Sequence, residues 1–149
     1  MKTRISLYLL MIVALCSCSK VPDYYVCAYV WPSCHDDSLA HRYLWPEGKG
    51  EWEVIEKGDP RFEGHYQPRQ PLWGHELDND PAVVEKWIKT ALEYGVNTFI
   101  YDWYWFKAPD GYSGPYLESA LNDGFLKAPS NRNMNFYLMY ANHEVKYNY

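Results

Sequence analysis

The apolar positions of this chain fall into three short runs and one longer periodic stretch. Tyr24-Tyr25-Val26-Cys27-Ala28-Tyr29-Val30 is apolar almost throughout, which suits a strand covered on both faces in a parallel sheet. Trp31-Pro32-Ser33 supplies turn chemistry after it. From Asp80-Pro81 onward, Val84, Trp87, Ile88, Ala91 and Leu92 recur at helical spacing, with Glu85, Lys86, Lys89 and Glu93 between them. That pattern predicts an amphipathic helix, opened by an Asp cap with Pro at the first helical position and stopped by Gly95. A second strand is predicted over Val96–Asp102, a short helix over Tyr116–Phe125 and a third strand over Asn135–Ala141. Ser33–Asp80 shows no regular period and is rich in Gly, Pro, Trp, Tyr and His. Disordered segments lack such aromatic residues, and long loops in compact domains tend to carry function, so this segment reads as an ordered excursion.

Strand, helix, strand, helix, strand predicts an α/β fold built on a parallel sheet. The three strands end in Trp31, in Asp102-Trp103 and in Asn142-His143-Glu144. In barrels and in open α/β sheets, ligands bind beyond the carboxyl ends of the strands, so the three ends are expected to converge on one site.

The amino terminus reads as an export signal. Lys2 and Arg4 precede an uncharged run, Ile5 to Leu15, which is shorter than the about 20 residues needed to span a bilayer and fits a signal core. Leu15-Cys16-Ser17-Cys18 resembles the end of a bacterial lipoprotein signal, with Met1–Ser17 removed and Cys18 lipidated. A signal cleaved without lipidation, or a short retained anchor, is the alternative. The expected location is the periplasmic or cell-surface face of the outer membrane, held by the lipid. Of the remaining cysteines, Cys27 and Cys34, a disulfide is permitted by export, while a small buried thiol is the role expected of Cys27. Neither has metal-ligand spacing, and His35, His41 and His75 form no helical pair, so no metal and no cofactor are expected.

Loss of Met1–Ser17 removes two of the 14 basic residues and none of the 19 acidic ones, leaving a net charge of −7. Nucleic-acid binding rests on Lys and Arg at phosphates, so a nucleic-acid partner is not expected. Aromatic residues make up 18% of the chain while apolar residues in all make up an ordinary 48%. The excess is therefore one of kind, and Trp and Tyr combine a broad apolar face with a polar tip, as a sugar requires. Tyr101-Asp102-Trp103-Tyr104-Trp105-Phe106 sets one carboxylate among such rings. Asp102 is read as binding sugar hydroxyls or orienting another group, or else as a cap on the following loop. Trp31, Trp103 and Trp105 are stacking platforms, or lid and core residues. His65, Tyr66 and Gln67 form a wall and a hydrogen-bonding edge, or pack within the loop against Trp73. Asn142 fits a substrate contact. Asp102 and Glu144 are the candidate catalytic carboxylates. No pair is placed at the about 5–10 Å that glycoside hydrolysis uses, so the catalytic residues stay unassigned.

Several blocks in order resemble the WbsX group, also described as glycoside hydrolase family 99-like domains. They are Tyr29-Val30-Trp31-Pro32, Glu51-Trp52-Glu53-Val54, Phe62-Glu63-Gly64-His65-Tyr66-Gln67-Pro68 with Pro71-Leu72-Trp73-Gly74, Tyr94-Gly95-Val96 leading into Tyr101–Phe106, and Tyr140-Ala141-Asn142. The resemblance implies a (β/α)8 TIM-type barrel acting on polysaccharide or oligosaccharide. It covers nearly all of residues 18–149 but only the front of the family's domain, about three βα units. A closed barrel typically takes about 250 residues, so a truncated and by itself inactive barrel is expected. Some members are named glycosyltransferases of polysaccharide biosynthesis; other relatives are endo-acting mannosidases. Because nucleotide-sugar donors are cytoplasmic, export favours glycan breakdown. A non-catalytic glycan-binding lipoprotein and a WbsX-type glycosyltransferase are the alternatives. Many relatives have Asn-Glu where this chain has Asn142-His143-Glu144, and the acid–base carboxylates of the hydrolases lie on later strands.

Overall fold

The computed structural model describes residues 24–141. The proposed signal, Cys18, Asn142 and Glu144 lie outside the described residues. Among the described residues, no helix is long and apolar enough to cross a membrane.

Three parallel strands carry the fold: β1 (Cys27–Val30), β2 (Thr98–Lys107) and, after an intervening β3 (Ser113–Tyr116), β4 (Asn135–Tyr140). β1 pairs with β2 from Cys27↔Thr98 to Val30↔Tyr101, and β4 pairs with the other edge of β2 from Thr98↔Asn135 to Trp103↔Tyr140. Asn97 anchors the start of this ladder: its side chain donates to Tyr24 O and accepts from Val26 N, and its carbonyl accepts from Asn135 N. The architecture is mixed α/β with a parallel sheet, as expected.

Three short helices punctuate the chain before β2. α1 (Ser38–Tyr43) and α2 (Trp52–Glu56) lie inside the excursion, and α3 (Pro81–Glu93) crosses between β1 and β2. The sequence showed no period over 33–80 because helices of six and five residues are too short to display one. α1 starts where Asp37 Oδ1 accepts from the amides of Leu39 and Ala40. α3 matches its predicted form: Asp80 caps it, Pro81 opens it, and Val84 and Ile88 are its buried residues. Gly95 follows with φ +83°, a left-handed conformation that favours glycine.

Two elements depart from the expected pattern. β2 does not end at Asp102 but continues to Lys107, its second half forming a hairpin with β3 from Tyr104↔Tyr116 to Lys107↔Ser113. Trp103 to Lys107 thus belongs to a strand, not to a loop beyond one. The helix expected over Tyr116–Phe125 is replaced by a π-helical turn, Ala120–Gly124, and a 3₁₀ turn, Phe125–Lys127. Leu117 has φ +57°, which no helix accommodates. At Gly124 an added Cβ would lie 2.3 Å from Asp78 O, so the segment hugs the excursion too closely for a side chain.

Two cores result. On the outer face of the sheet, Phe99 and Tyr101 pack with Val84 and Ile88 of α3 and with Leu121, Phe125 and Met134. The second lies over the β2–β3 hairpin, where Ala40 of α1 meets Tyr104, Phe106, Tyr116 and Leu117. Cys27 is not the buried thiol expected of it: it is exposed on β1, and both Cys27 and Cys34 are free. Cys27 faces away from α3, on the side opposite Ala28 and Val30, which pack on the core, and no helix covers it there.

Candidate functional site

Side chains on a strand alternate between faces with period two, so Asp102 and Tyr104 share the inner face of β2. Tyr29 of β1 projects to the same face. Its hydroxyl donates to Asp102 Oδ1 at 3.0 Å, and the Tyr104 hydroxyl donates to Asp102 Oδ2 at 2.5 Å. Asp102 is only 7% exposed and has no ion-pair partner among the described residues. Two O–H donors to a carboxylate are charge-assisted bonds, about twice as strong as neutral ones, and they take the place of a cation. The Tyr29 phenol is held above its ordinary pKa, by desolvation first and then by its bond to, and the charge of, Asp102. It therefore stays a donor. With both oxygens used in this way and the strand running on, Asp102 does not cap a loop.

Trp31 follows β1 and stands beside this carboxylate. Its ring meets Tyr104 edge-on at 5.7 Å and 83°. Its indole N–H donates to Glu51 Oε2 at 2.8 Å, and Ser33 Oγ donates to the same oxygen at 2.7 Å. The indole is thus pinned at its edge and against its neighbour, yet remains 50% exposed. Glu51 reaches it because the backbone comes very close at Gly50. An added Cβ there would lie 2.1 Å from Ser33 O, and φ is +63°; the Glu51 amide then donates to that same carbonyl at 2.8 Å.

Trp31 also lines a pocket of about 490 Å³ between β1, α3 and the excursion, with Tyr29, Trp52, Trp73 and Trp87 in its walls. Glu76 organises it, accepting from Trp87 Nε1 at 2.8 Å and pairing with Lys86, whose ammonium sits 4.4 Å from the centre of the Trp73 ring. At its floor the two ends of the excursion are clasped. Asp78 Oδ1 bonds His35 Nδ1 at 2.5 Å, Asp78 Oδ2 accepts from the Cys34 amide at 2.9 Å, and the Asp78 amide donates to Cys34 O at 3.0 Å. Burial, and after it the charge of Asp78, push the Cys34 thiol up to about 12. Since the thiolate is the reactive form, Cys34 is a neutral, inert thiol at pH 8. Iodoacetamide at that pH, followed by peptide mapping, is expected to label Cys27 and spare Cys34; equal labelling would show that the clasp is open.

The structure brings Trp31 and Asp102 together through Tyr29 and Tyr104. It puts Trp103 and Trp105 on the opposite face of β2, where Trp103 packs against Trp105 and against Tyr140 at 6.1 and 5.6 Å, and Trp105 donates to Ser113 Oγ. His65 stacks on Phe62 at 4.6 Å rather than on Trp73 and accepts from the Arg61 amide. Gln67 Oε1 accepts from the Arg69 amide, and Tyr66 is exposed. The hydrogen bonds and ring contacts of these three run within the excursion, and none reaches Asp102 or Trp31. Tyr29, Tyr104 and Glu51 were not singled out from the sequence. The period-two spacing of 102 and 104 was a usable signal; Glu51, across an aperiodic segment, offered none. Among the described residues, no group of three or more His, Cys, Asp or Glu is arranged to hold a metal ion.

The parallel sheet, with α3 packed on it and with Trp31 and Asp102 toward the carboxyl ends of its paired strands, sets the chain among the α/β proteins. Within that class, the chain belongs to the family described as glycosyltransferase WbsX, a carbohydrate-related family whose pattern matches residues 26–149. It is similar to an uncharacterized protein, WxcX, of two strains of Xanthomonas campestris pv. campestris, at 39% identity over 64 residues. That stretch is 42% of this chain and 9% of the relative, so the matched part spans under a tenth of the relative's length. No solved structure matches the chain.

Proposed function

We propose that the protein binds a polysaccharide or oligosaccharide at the carboxyl ends of its parallel strands, with Trp31 as the stacking platform and Asp102 as the buried carboxylate behind it. The observation that carries this reading is the Trp31 indole, half-exposed yet fixed by Glu51 and Tyr104. A ring held in place loses little further freedom when a sugar stacks on it, and preorganisation of that kind favours binding. The family is carbohydrate-related, which agrees with an aromatic platform beside a carboxylate. The three parallel strands, with α3 packed outside, fit the first units of a (β/α) barrel, whose sites lie at this end. The basic and apolar amino terminus supports an exported, lipid-anchored protein acting in glycan breakdown. A binding role without catalysis is the second reading, favoured because both oxygens of Asp102 are engaged by tyrosines. A glycan panel followed by a hydrolysis assay tests both. Binding of at least one glycan is expected; release of reducing ends by this chain would overturn the binding-only reading, and binding of none would overturn the proposal.

A further inference from the structure

Glu51 makes a second carboxylate in this site, and its two oxygens are used unequally. Oε2 accepts from both Trp31 Nε1 and Ser33 Oγ, while Oε1 has no hydrogen-bond partner among the described residues. Neither Glu51 nor Asp102 pairs with a Lys, Arg or His among the described residues: Arg42 pairs with Asp110, Lys49 with Glu56 and Lys57 with Glu47, and Lys86 serves Glu76. The side chains that touch the two carboxylates are Tyr29, Tyr104, Trp31 and Ser33, all uncharged donors. A ligand stacked on Trp31 therefore meets an uncompensated carboxylate at the edge of the platform, on a half-buried side chain. A sugar hydroxyl satisfies that oxygen by donating to it. A uronate, sulfate or phosphate brings a second negative charge and no proton, and like charges at close range in such a site repel far more strongly than in bulk water.

Resting on the glycan reading above, we propose that Glu51 is the specificity-determining residue of the site: it positions the Trp31 platform through one oxygen and selects uncharged over anionic glycans through the other. Glutamine at this position keeps an acceptor for Trp31 and Ser33 and removes the charge, which separates the two roles. Alanine removes both.

The test is calorimetric titration of the full chain with neutral manno- and gluco-oligosaccharides and with galacturonate oligosaccharides of equal length. At about 0.15 M salt the screening length is near 8 Å, so the net charge of the protein contributes little. The wild-type chain is expected to prefer the neutral ligands by about tenfold or more. Glu51→Gln is expected to keep the tryptophan emission of the wild type and to lose most of that preference. Glu51→Ala is expected to weaken neutral binding itself, and Asp59→Asn, which neutralises an exposed acid away from the site, to leave the preference unchanged. Equal affinity of the wild type for both ligand classes, or a preference unaltered in Glu51→Gln, would overturn the inference while leaving the glycan reading intact. Binding of no oligosaccharide at all would remove that reading and this one with it.

Discussion

Replacing Asp78 with alanine is expected to cost about 3–5 kcal/mol of folding stability, the range seen when one partner of a buried pair is removed. His35 is fully buried and Asp78 is 2% exposed. The substitution leaves the buried His35 imidazole and the Cys34 amide without their acceptor. His35 Nε2 already lacks a partner among the described residues, so the ring cannot recover elsewhere what it loses at Nδ1. The effect reaches beyond the pair. The clasp joins residues 43 apart in the chain and closes the base of the excursion that carries Glu51 to Trp31. Urea unfolding of Asp78→Ala and Asp78→Asn gives the test. Asparagine keeps one acceptor and is expected to cost less. A loss under about 1 kcal/mol for alanine, the level of an ordinary substitution, would show that the clasp does not hold the excursion.

Asp102→Asn is expected to weaken glycan binding about tenfold or more, equivalent to ~1.4 kcal/mol. The amide fills nearly the same volume, but its nitrogen donates where the carboxylate accepted, so at one of the two O–H···O bonds of 3.0 and 2.5 Å the tyrosine must turn its proton away. Tyr29, 54% exposed, is the freer of the two to turn away toward water. The surviving bond is no longer charge-assisted, and the wall beside Trp31 loses its fixed geometry. Calorimetric titration with the best glycan of the panel measures the change. Wild-type affinity in Asp102→Asn would mean that this carboxylate serves packing alone.

How far the sequence revealed these features depended on their range along the chain. α3 was legible in full because everything that defines it is local: Asp80, Pro81, the spacing of Val84 and Ile88, and Gly95. The three parallel strands were legible as apolar runs. The continuation of β2 was not, because the alternation of Trp103 to Lys107 is masked where nearly every residue is aromatic, and its partner, β3, holds a Gly and a Pro that read as turn residues. The π-helical turn was missed because Gly124 is dictated by the proximity of Asp78 O, a contact absent from local pattern. The site divides in the same way. Trp31 and Asp102 stood out as strand-end residues, whereas the bond between Trp31 and Glu51 spans an aperiodic segment and that between Tyr29 and Asp102 spans 73 positions. Long-range pairs of this kind become visible only once the strands are set in register.

The account rests on one aromatic platform, and the indole N–H signals of the isotopically labelled chain report on it directly. The Trp31 resonance, assigned by its absence in Trp31→Phe, belongs to a proton bonded to Glu51 Oε2 at the edge of the proposed site. Titration with a bound oligosaccharide is expected to shift that resonance in a saturable way while the Trp105 signal, bonded to Ser113 on the far face of β2, stays in place. Shifts at Trp105 with Trp31 unmoved would contradict the account and move the site to the other side of the sheet.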